Sequence, residues 1–259
     1  MFPKLLHIYG PIWINSYGFM VTLGIIVFLF LSINHPLREK LISKSQFTDV
    51  LVLGIISGIV GGRILFILEE FNAYKDNWLE AFYPWIGGFS SLGSILAVLL
   101  VSSLFLYKHK ISILCFFDLI CMHAPIIFVF GRIGCFLAGC CYGVAACCSK
   151  FSIIYTHPES IAPLNIALYP TQLIESLGAL LIFFILRFGV IRIFFKKGQI
   201  LFSFLILISF MRFVIDFWRG DWGPFFNGFS FSQVVSGGIF VISIIGLLFV
   251  SRSKSVNNL

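Results

Sequence analysis

The stretch Gly131-Arg132-Ile133-Gly134-Cys135-Phe136-Leu137-Ala138-Gly139-Cys140-Cys141-Tyr142-Gly143 sets an arginine among closely spaced glycines and three cysteines at the end of a long apolar run. A charge inside a bilayer costs about 3 kcal/mol or more, so such residues mark functional sites. Further along, Arg212, Asp216 and Arg219 follow at spacings of four and three and share one helix face. Gln172 and Glu175, three apart, share another. Guanidinium groups grip phosphate oxygens through two parallel bonds, so arginines with carboxylates nearby suit a phosphate-bearing headgroup. The competing reading is mutual ion pairing that only holds helices together. It weighs evenly for Arg63 or Arg219 taken alone, whereas for Arg132 with Arg212 the ligand is favoured.

The elements that must position these residues are apolar. Of 259 residues, 59% are hydrophobic and 11% charged, against roughly 25% charged in a soluble domain. The expected architecture is an all-α membrane protein, a bundle of seven transmembrane helices forming a single domain over residues 1–259. The seven segments run Tyr17–Asn34, Phe47–Leu68, Gly87–Tyr107, Ile111–Ala138, Thr171–Phe188, Gly198–Phe217 and Ser230–Val250. No cleavable signal peptide is evident before the first. No long inverted repeat appears either, which argues against a transporter of anions or lipids.

The net charge of +7 reflects topology rather than nucleic-acid binding. With the N-terminus outside, Arg38, Lys40, Lys44, Lys108, Lys110, Arg187, Arg192, Lys196, Lys197, Arg252 and Lys254 fall on the cytoplasmic side. Only Lys4, Lys75, Lys150 and Arg219 remain outside. The chain therefore reads N-terminus out and C-terminus in, with a small extracytoplasmic segment, Gly139 to Pro170, between helices 4 and 5. At a rise of about 1.5 Å per residue, Arg63 lies ~24 Å along its helix. Arg132, Arg212 and Glu175 likewise fall in the outer half, at the level of outer-leaflet headgroups.

Several motifs, in order, resemble one family: phosphatidylglycerol–prolipoprotein diacylglyceryl transferase. Gly131 to Gly143 resembles its signature, Ser16-Tyr17-Gly18 its aromatic-Tyr-Gly motif, and Gly61-Gly62-Arg63 its Gly-x-Arg. Tyr169-Pro170-Thr171-Gln172-Leu173 is similar to its His-Pro-Ser/Thr-Gln-Leu, and Arg212-Phe213 through Asp216 and Arg219 to its Arg-Phe-x-x-Glu-x-x-Arg.

The resemblance implies transfer of the sn-1,2-diacylglyceryl group of phosphatidylglycerol to the lipobox cysteine of a preprolipoprotein, releasing glycerol 1-phosphate. It implies a multi-pass protein of the bacterial inner membrane whose active site faces the outer leaflet. The implied partners are phosphatidylglycerol, preprolipoprotein signal peptides and the lipid bilayer, with no nucleic acid. It implies catalytic roles for Arg212, Arg132 and Tyr17. Arg132 would bind the headgroup, Arg212 would stabilise the departing phosphate, and Tyr17 would contact headgroup or thiol. Cys135, Gly143, Gln172, Asp216 and Arg219 would complete the phosphatidylglycerol site, Asp216 and Arg219 by orienting Arg212 and Gly143 by permitting close backbone approach.

The chain departs from the family pattern at Gly87-Gly88-Phe89-Ser90-Ser91-Leu92-Gly93-Ser94, where Leu92 replaces a histidine proposed as the base. Cys135 stands where many members have Asn. His123, nine residues before Arg132, could substitute as a base, but a packed, hydrogen-bonded histidine is the favoured reading. Cys140 and Cys141 with Cys147 and Cys148 suggest a disulfide between the two pairs. Their spacing matches no standard zinc pattern, so neither metal nor cofactor is expected. Two alternatives stand beside the transferase: a membrane thiol–disulfide oxidoreductase using these cysteine pairs, and a catalytically impaired paralogue.

Overall fold

The computed structural model describes residues 3–9, 12–71, 89–146, 151–190, 196–221, 223, 225 and 227–252. They are mostly helical. The helices are α1 (Ser16–Ile33), α2 (Pro36–Leu41), α3 (Lys44–Glu69), α4 (Ser91–Lys108), α5 (Ile113–Ala138), α6 (Thr171–Phe184), α7 (Gln199–Ile215) and α8 (Phe231–Arg252). α6 continues as a π-helical stretch, Ile185–Val190, and α7 as a 3-10 turn, Asp216–Trp218. Six of these are long and apolar enough to cross a membrane: α1, α3, α5, α6 with its continuation, α7 with its turn, and α8. The apolar run Leu92–Lys108 in α4 is shorter, and residues 72–88, which include the expected start of the third segment, lie outside the described residues.

The sequence segments recur with ends shifted by a few residues. α3 begins at Lys44 rather than Phe47 because Ser43 and Gln46 form a capping box, each side chain taking the other's backbone N–H. Two short antiparallel ribbons interrupt the all-helical expectation. β1 (Lys4–Tyr9) pairs with β2 (Ile12–Asn15), and β3 (Ile153–Ile154) with β4 (Ala167–Leu168). Among the described residues neither ribbon closes into a larger sheet.

The chain divides into two compact units, His35–Phe116 and a larger one made of Met1–Asn34 with Phe117–Leu259. In the smaller unit α3 and α4 pack through small residues. Ser94 Oγ donates to the Gly58 carbonyl at 2.9 Å, and a Cβ at Gly61 would lie 2.8 Å from the Gly93 carbonyl oxygen. Small residues let helix backbones approach closely where lipid supplies no hydrophobic drive. Arg63, whose guanidinium lies 5.9 Å from the Phe66 ring centre, and the exposed Leu92 both belong to this unit.

In the larger unit buried polar residues fasten the helices to one another. Asp118 on α5 accepts from the backbone N–H of Gly198 at 2.5 Å and of Leu201 at 2.8 Å. It thereby caps the start of α7, whose first amides have no partner within the helix. Ser176 on α6 donates to the Val129 carbonyl of α5 at 3.2 Å. His123 is buried, its Nδ1 3.3 Å from Ser32 Oγ on α1 and 3.1 Å from the Leu119 carbonyl. This is the packed histidine the sequence favoured.

Candidate active site

The candidate site lies wholly in the larger unit. α6 opens at Thr171, so Gln172 and Glu175 fall in its first turns on one inward face, and both are 1% exposed. Glu175 is the centre of the site. Its Oε2 lies 2.9 Å from Arg132 Nε and its Oε1 2.7 Å from Arg212 Nη1. The Arg212 contact is also a directed hydrogen bond. The Arg132 contact is ionic, since Oε2 lacks a well-aligned donor.

Arg212 is held from three sides. Besides Glu175, its Nη2 meets Asp216 Oδ1 at 3.2 Å across one helical turn, and its Nε donates to Ser232 Oγ at 2.9 Å. Asp216 is itself fixed by Ser230, whose hydroxyl donates to Oδ2 at 2.7 Å. Arg219 stands 3.9 Å from Asp216 Oδ1 and makes a two-pronged pair with Asp221 at 2.8 and 2.6 Å. The shared face read from the spacing of Arg212, Asp216 and Arg219 is present. Burial works against the Arg219 charge, but the Asp221 hydrogen bond and the nearby acids hold its pKa above the usual value.

Arg132 is spent differently. Among the described residues its Nε pairs with Glu175 while its two terminal nitrogens have no hydrogen-bond partner, and its side chain is 18% exposed. A partly exposed guanidinium anchored at Nε presents a free pair of donors suited to an oxyanion.

The backbone around these charges is closely packed. Gln172 Nε2 donates to the Cys140 carbonyl at 2.8 Å and to Tyr155 Oη at 3.2 Å, so its amide nitrogen ties α6 to the loop after α5. Its Oε1 is buried with no partner among the described residues. Burial pushes the Tyr155 phenol up to about 12, keeping it a neutral donor to the Phe136 carbonyl at 3.3 Å. Gly143 N–H donates to the Tyr169 carbonyl at 3.1 Å, and a Cβ there would lie 2.6 Å from that same oxygen. The close approach expected of Gly143 is thus to the chain's own backbone.

Tyr17 lies in the first turn of α1 and is 48% exposed. α5 passes close by, for a Cβ on Gly134 would lie 3.1 Å from the Tyr17 Cα. A cavity of about 490 Å³ opens beside Tyr17, Ala138 and Cys140, and the ion pair of Lys4 with Glu159, 2.5 Å long, lines it too.

The end of α5 brings the cysteines together. Gly139, at φ 80°, takes the left-handed conformation that stops the helix. The amides of Gly139 and Cys140 both return to the Cys135 carbonyl, at 2.9 and 3.1 Å. Cys141 is also left-handed, at φ 59°. The Sγ atoms of Cys135, Cys140 and Cys141 consequently lie within 4.8 Å of one another. The Cys141 thiol is pushed well down by sulfhydryl hydrogen bonds from Cys135 and Cys140, then by Arg132 and Arg219. Cys140 and Cys141 are free thiols; Cys147 and Cys148, their expected partners, lie outside the described residues.

The structure therefore joins Arg132, Arg212, Asp216 and Arg219 through one charge network and sets Gln172, Gly143 and Cys135 beside it. Sequence reasoning noted Glu175 for its depth and helix face but gave it no place in the site. It missed Ser230, Ser232 and Asp221 altogether. The signal for the serines was faint: two hydroxyls opening an apolar segment look like ordinary helix-start residues.

Comparisons with known proteins agree on one family. The family described as "Prolipoprotein diacylglyceryl transferase" matches residues 3–249. A phosphatidylglycerol–prolipoprotein diacylglyceryl transferase 2 of Clostridium perfringens is 34% identical over 237 residues, covering 89% of this chain and 91% of its own. A phosphatidylglycerol–prolipoprotein diacylglyceryl transferase of Clostridium tetani is 32% identical over 250 residues, covering 94% and 98%. One from Listeria monocytogenes is 29% identical over 251 residues, covering 95% and 88%. A match over nearly the whole length, with the motif arginines gathered on one carboxylate, places this chain in the prolipoprotein diacylglyceryl transferase family.

Proposed function

We propose that this protein transfers the sn-1,2-diacylglyceryl group of phosphatidylglycerol to the lipobox cysteine thiol of preprolipoproteins, releasing glycerol 1-phosphate. The observation that carries this reading is the bridging of Arg132 and Arg212 by Glu175, at 2.9 and 2.7 Å, with the terminal nitrogens of Arg132 lacking a hydrogen-bond partner among the described residues.

Arg132 takes the phosphate of the lipid headgroup through those nitrogens. Arg212, held rigidly by Glu175, Asp216 and Ser232, stabilises the charge that grows as the phosphate leaves. Donors fixed before the reaction cost no reorganisation during it, and in a water-poor site they act at full strength. Asp216 and Arg219 orient Arg212. Tyr17 meets the headgroup or the incoming thiol from the cavity it lines, while Cys135, Gln172 and Gly143 border the lipid.

Seven spans, N-terminus out and C-terminus in, form one functional domain in the bacterial inner membrane with the site facing the outer leaflet. The asymmetry of Lys and Arg and the apolar α4 support this topology. The test is direct. The purified protein is incubated with phosphatidylglycerol and a lipobox peptide, and the peptide mass is measured. A diacylglyceryl adduct is expected; its absence would refute the reading, and an adduct undiminished in Arg132→Ala would refute the role of Arg132.

A further inference from the structure

Cys140 and Cys141 have no part in the arginine mechanism and Cys135 only borders the lipid, yet the arrangement of the three is specific. Sequence spacing alone gave no metal pattern, because Cys135 and Cys140 are five residues apart and the pair at Cys140 and Cys141 is adjacent. The helix stop changes this. Gly139 at φ 80° folds the chain back over the last turn of α5, and the left-handed Cys141 at φ 59° turns with it. Only then do all three sulfurs converge to within 4.8 Å of one another. A left-handed non-glycine residue costs on the order of 1 kcal/mol and persists where the surroundings demand it.

Zinc binds thiolate sulfur at about 2.3 Å, which sets three ligand sulfurs roughly 4 Å apart. The observed cluster accommodates that spacing. Among the described residues no fourth His, Cys, Asp or Glu joins the group. Three protein ligands with an open fourth position characterise catalytic zinc sites, whereas structural ones are closed. Three thiolates around a dication leave one net negative charge, which suits a place within electrostatic reach of Arg132 and Arg219. Tyr17 lies within the same reach of these sulfurs, and Cys140 lines the cavity beside it.

We propose that Cys135, Cys140 and Cys141 hold one soft divalent cation of the zinc class, and that its open position takes the acceptor thiol of the transfer reaction. This inference rests on the transferase reading. Coordination displaces the acceptor's S–H proton to water, since a metal-bound thiol is deprotonated outright. The bound sulfur supplies the electron pair of the new carbon–sulfur bond. The glyceryl carbon–oxygen bond to phosphate breaks, and its electron pair leaves with the phosphate as glycerol 1-phosphate. The proton question raised by Leu92 then has an answer that requires no histidine base.

The experiment uses the full chain in detergent, stripped with a chelator under reducing conditions and titrated with Cd²⁺. The expected result is a thiolate-to-cadmium charge-transfer absorption that saturates at one equivalent. It is lost in Cys140→Ser and in Cys141→Ser and retained in Cys115→Ser. Stripping should also abolish adduct formation on the lipobox peptide, and Zn²⁺ should restore it. No saturable absorption in the wild type overturns the proposal. Adduct formation unchanged by stripping also overturns it while leaving the transferase reading intact. Stoichiometric cadmium binding with no adduct at any zinc level refutes the transferase reading and the catalytic link, and leaves the thiol site standing.

Discussion

Glu175 Oε1 and Arg212 Nη1 lie 2.7 Å apart, and the other oxygen of the same carboxylate stands 2.9 Å from Arg132. One acid, 1% exposed, therefore fixes two guanidiniums from two other helices. Removing one member of a buried ion pair costs about 3–5 kcal/mol, because the remaining charge is left uncompensated. The two arginines have side chains 18% and 24% exposed, which points to the lower end. Glu175→Gln should lower stability by roughly 3 kcal/mol and abolish lipid transfer. Thermal unfolding in detergent beside the peptide-mass assay checks this; a variant unchanged in both would show that the carboxylate is not shared.

Arg132→Lys separates charge from geometry. Lysine keeps the positive charge but loses the planar fork that grips phosphate through two bonds. Transfer efficiency should fall by about tenfold or more, a loss of some 1.4 kcal/mol of transition-state binding, with stability nearly unchanged. Full activity in the lysine variant would mean that Arg132 acts as a point charge only.

Two glycines in the signature should respond oppositely to alanine. A Cβ at Gly143 meets the Tyr169 carbonyl oxygen at 2.6 Å, while one at Gly131 meets nothing within 4 Å. Gly143→Ala should displace the Tyr169 backbone and reduce both stability and activity. Gly131→Ala should be tolerated or stabilise by about 0.5–1 kcal/mol, as alanine favours a helix over glycine. Equal effects at the two positions, by unfolding midpoint, would contradict the packing around Gly143.

Asp118 offers a purely structural test. Its two oxygens cap the amides of Gly198 and Leu201, and asparagine can accept with only one. Asp118→Asn should destabilise by about 1 kcal/mol and leave the transfer rate of the folded fraction unaltered. A changed rate at unchanged stability would tie the start of α7 to the chemistry.

The Cys141 thiol is held below the ordinary thiol range by its sulfhydryl neighbours and by Arg132 and Arg219. In chelator-stripped protein its alkylation by a neutral reagent should slow less between about pH 8.5 and 6.5 than that of an ordinary thiol, which loses about tenfold per unit. By linkage, the depressed value stabilises the fold above the ordinary thiol range, and that contribution fades as pH falls toward the lowered value. Peptide mapping of the modified cysteine decides it; a rate that tracks an ordinary thiol would remove the ionised sulfur.

The sequence by itself determined the membrane class, the helical segments and the face that Arg212, Asp216 and Arg219 share. Each rests on local properties: apolar length, a helical period that aligns Arg212, Asp216 and Arg219, and the rarity of charge in such runs. The capping box at Ser43 and Gln46 was local too and sharpens the start of α3. Tertiary structure alone decided which charge meets which. Glu175 is 43 or 37 positions from its two arginines, and no periodicity spans helices. It also decided the cysteines. Their spacing matched no standard zinc pattern, but backbone turns at Gly139 and Cys141, set by how the loop packs under Gln172 and Thr171, draw the three sulfurs together. Long-range pairing depends on the path of the whole chain, and a single sequence records that path only after it has folded.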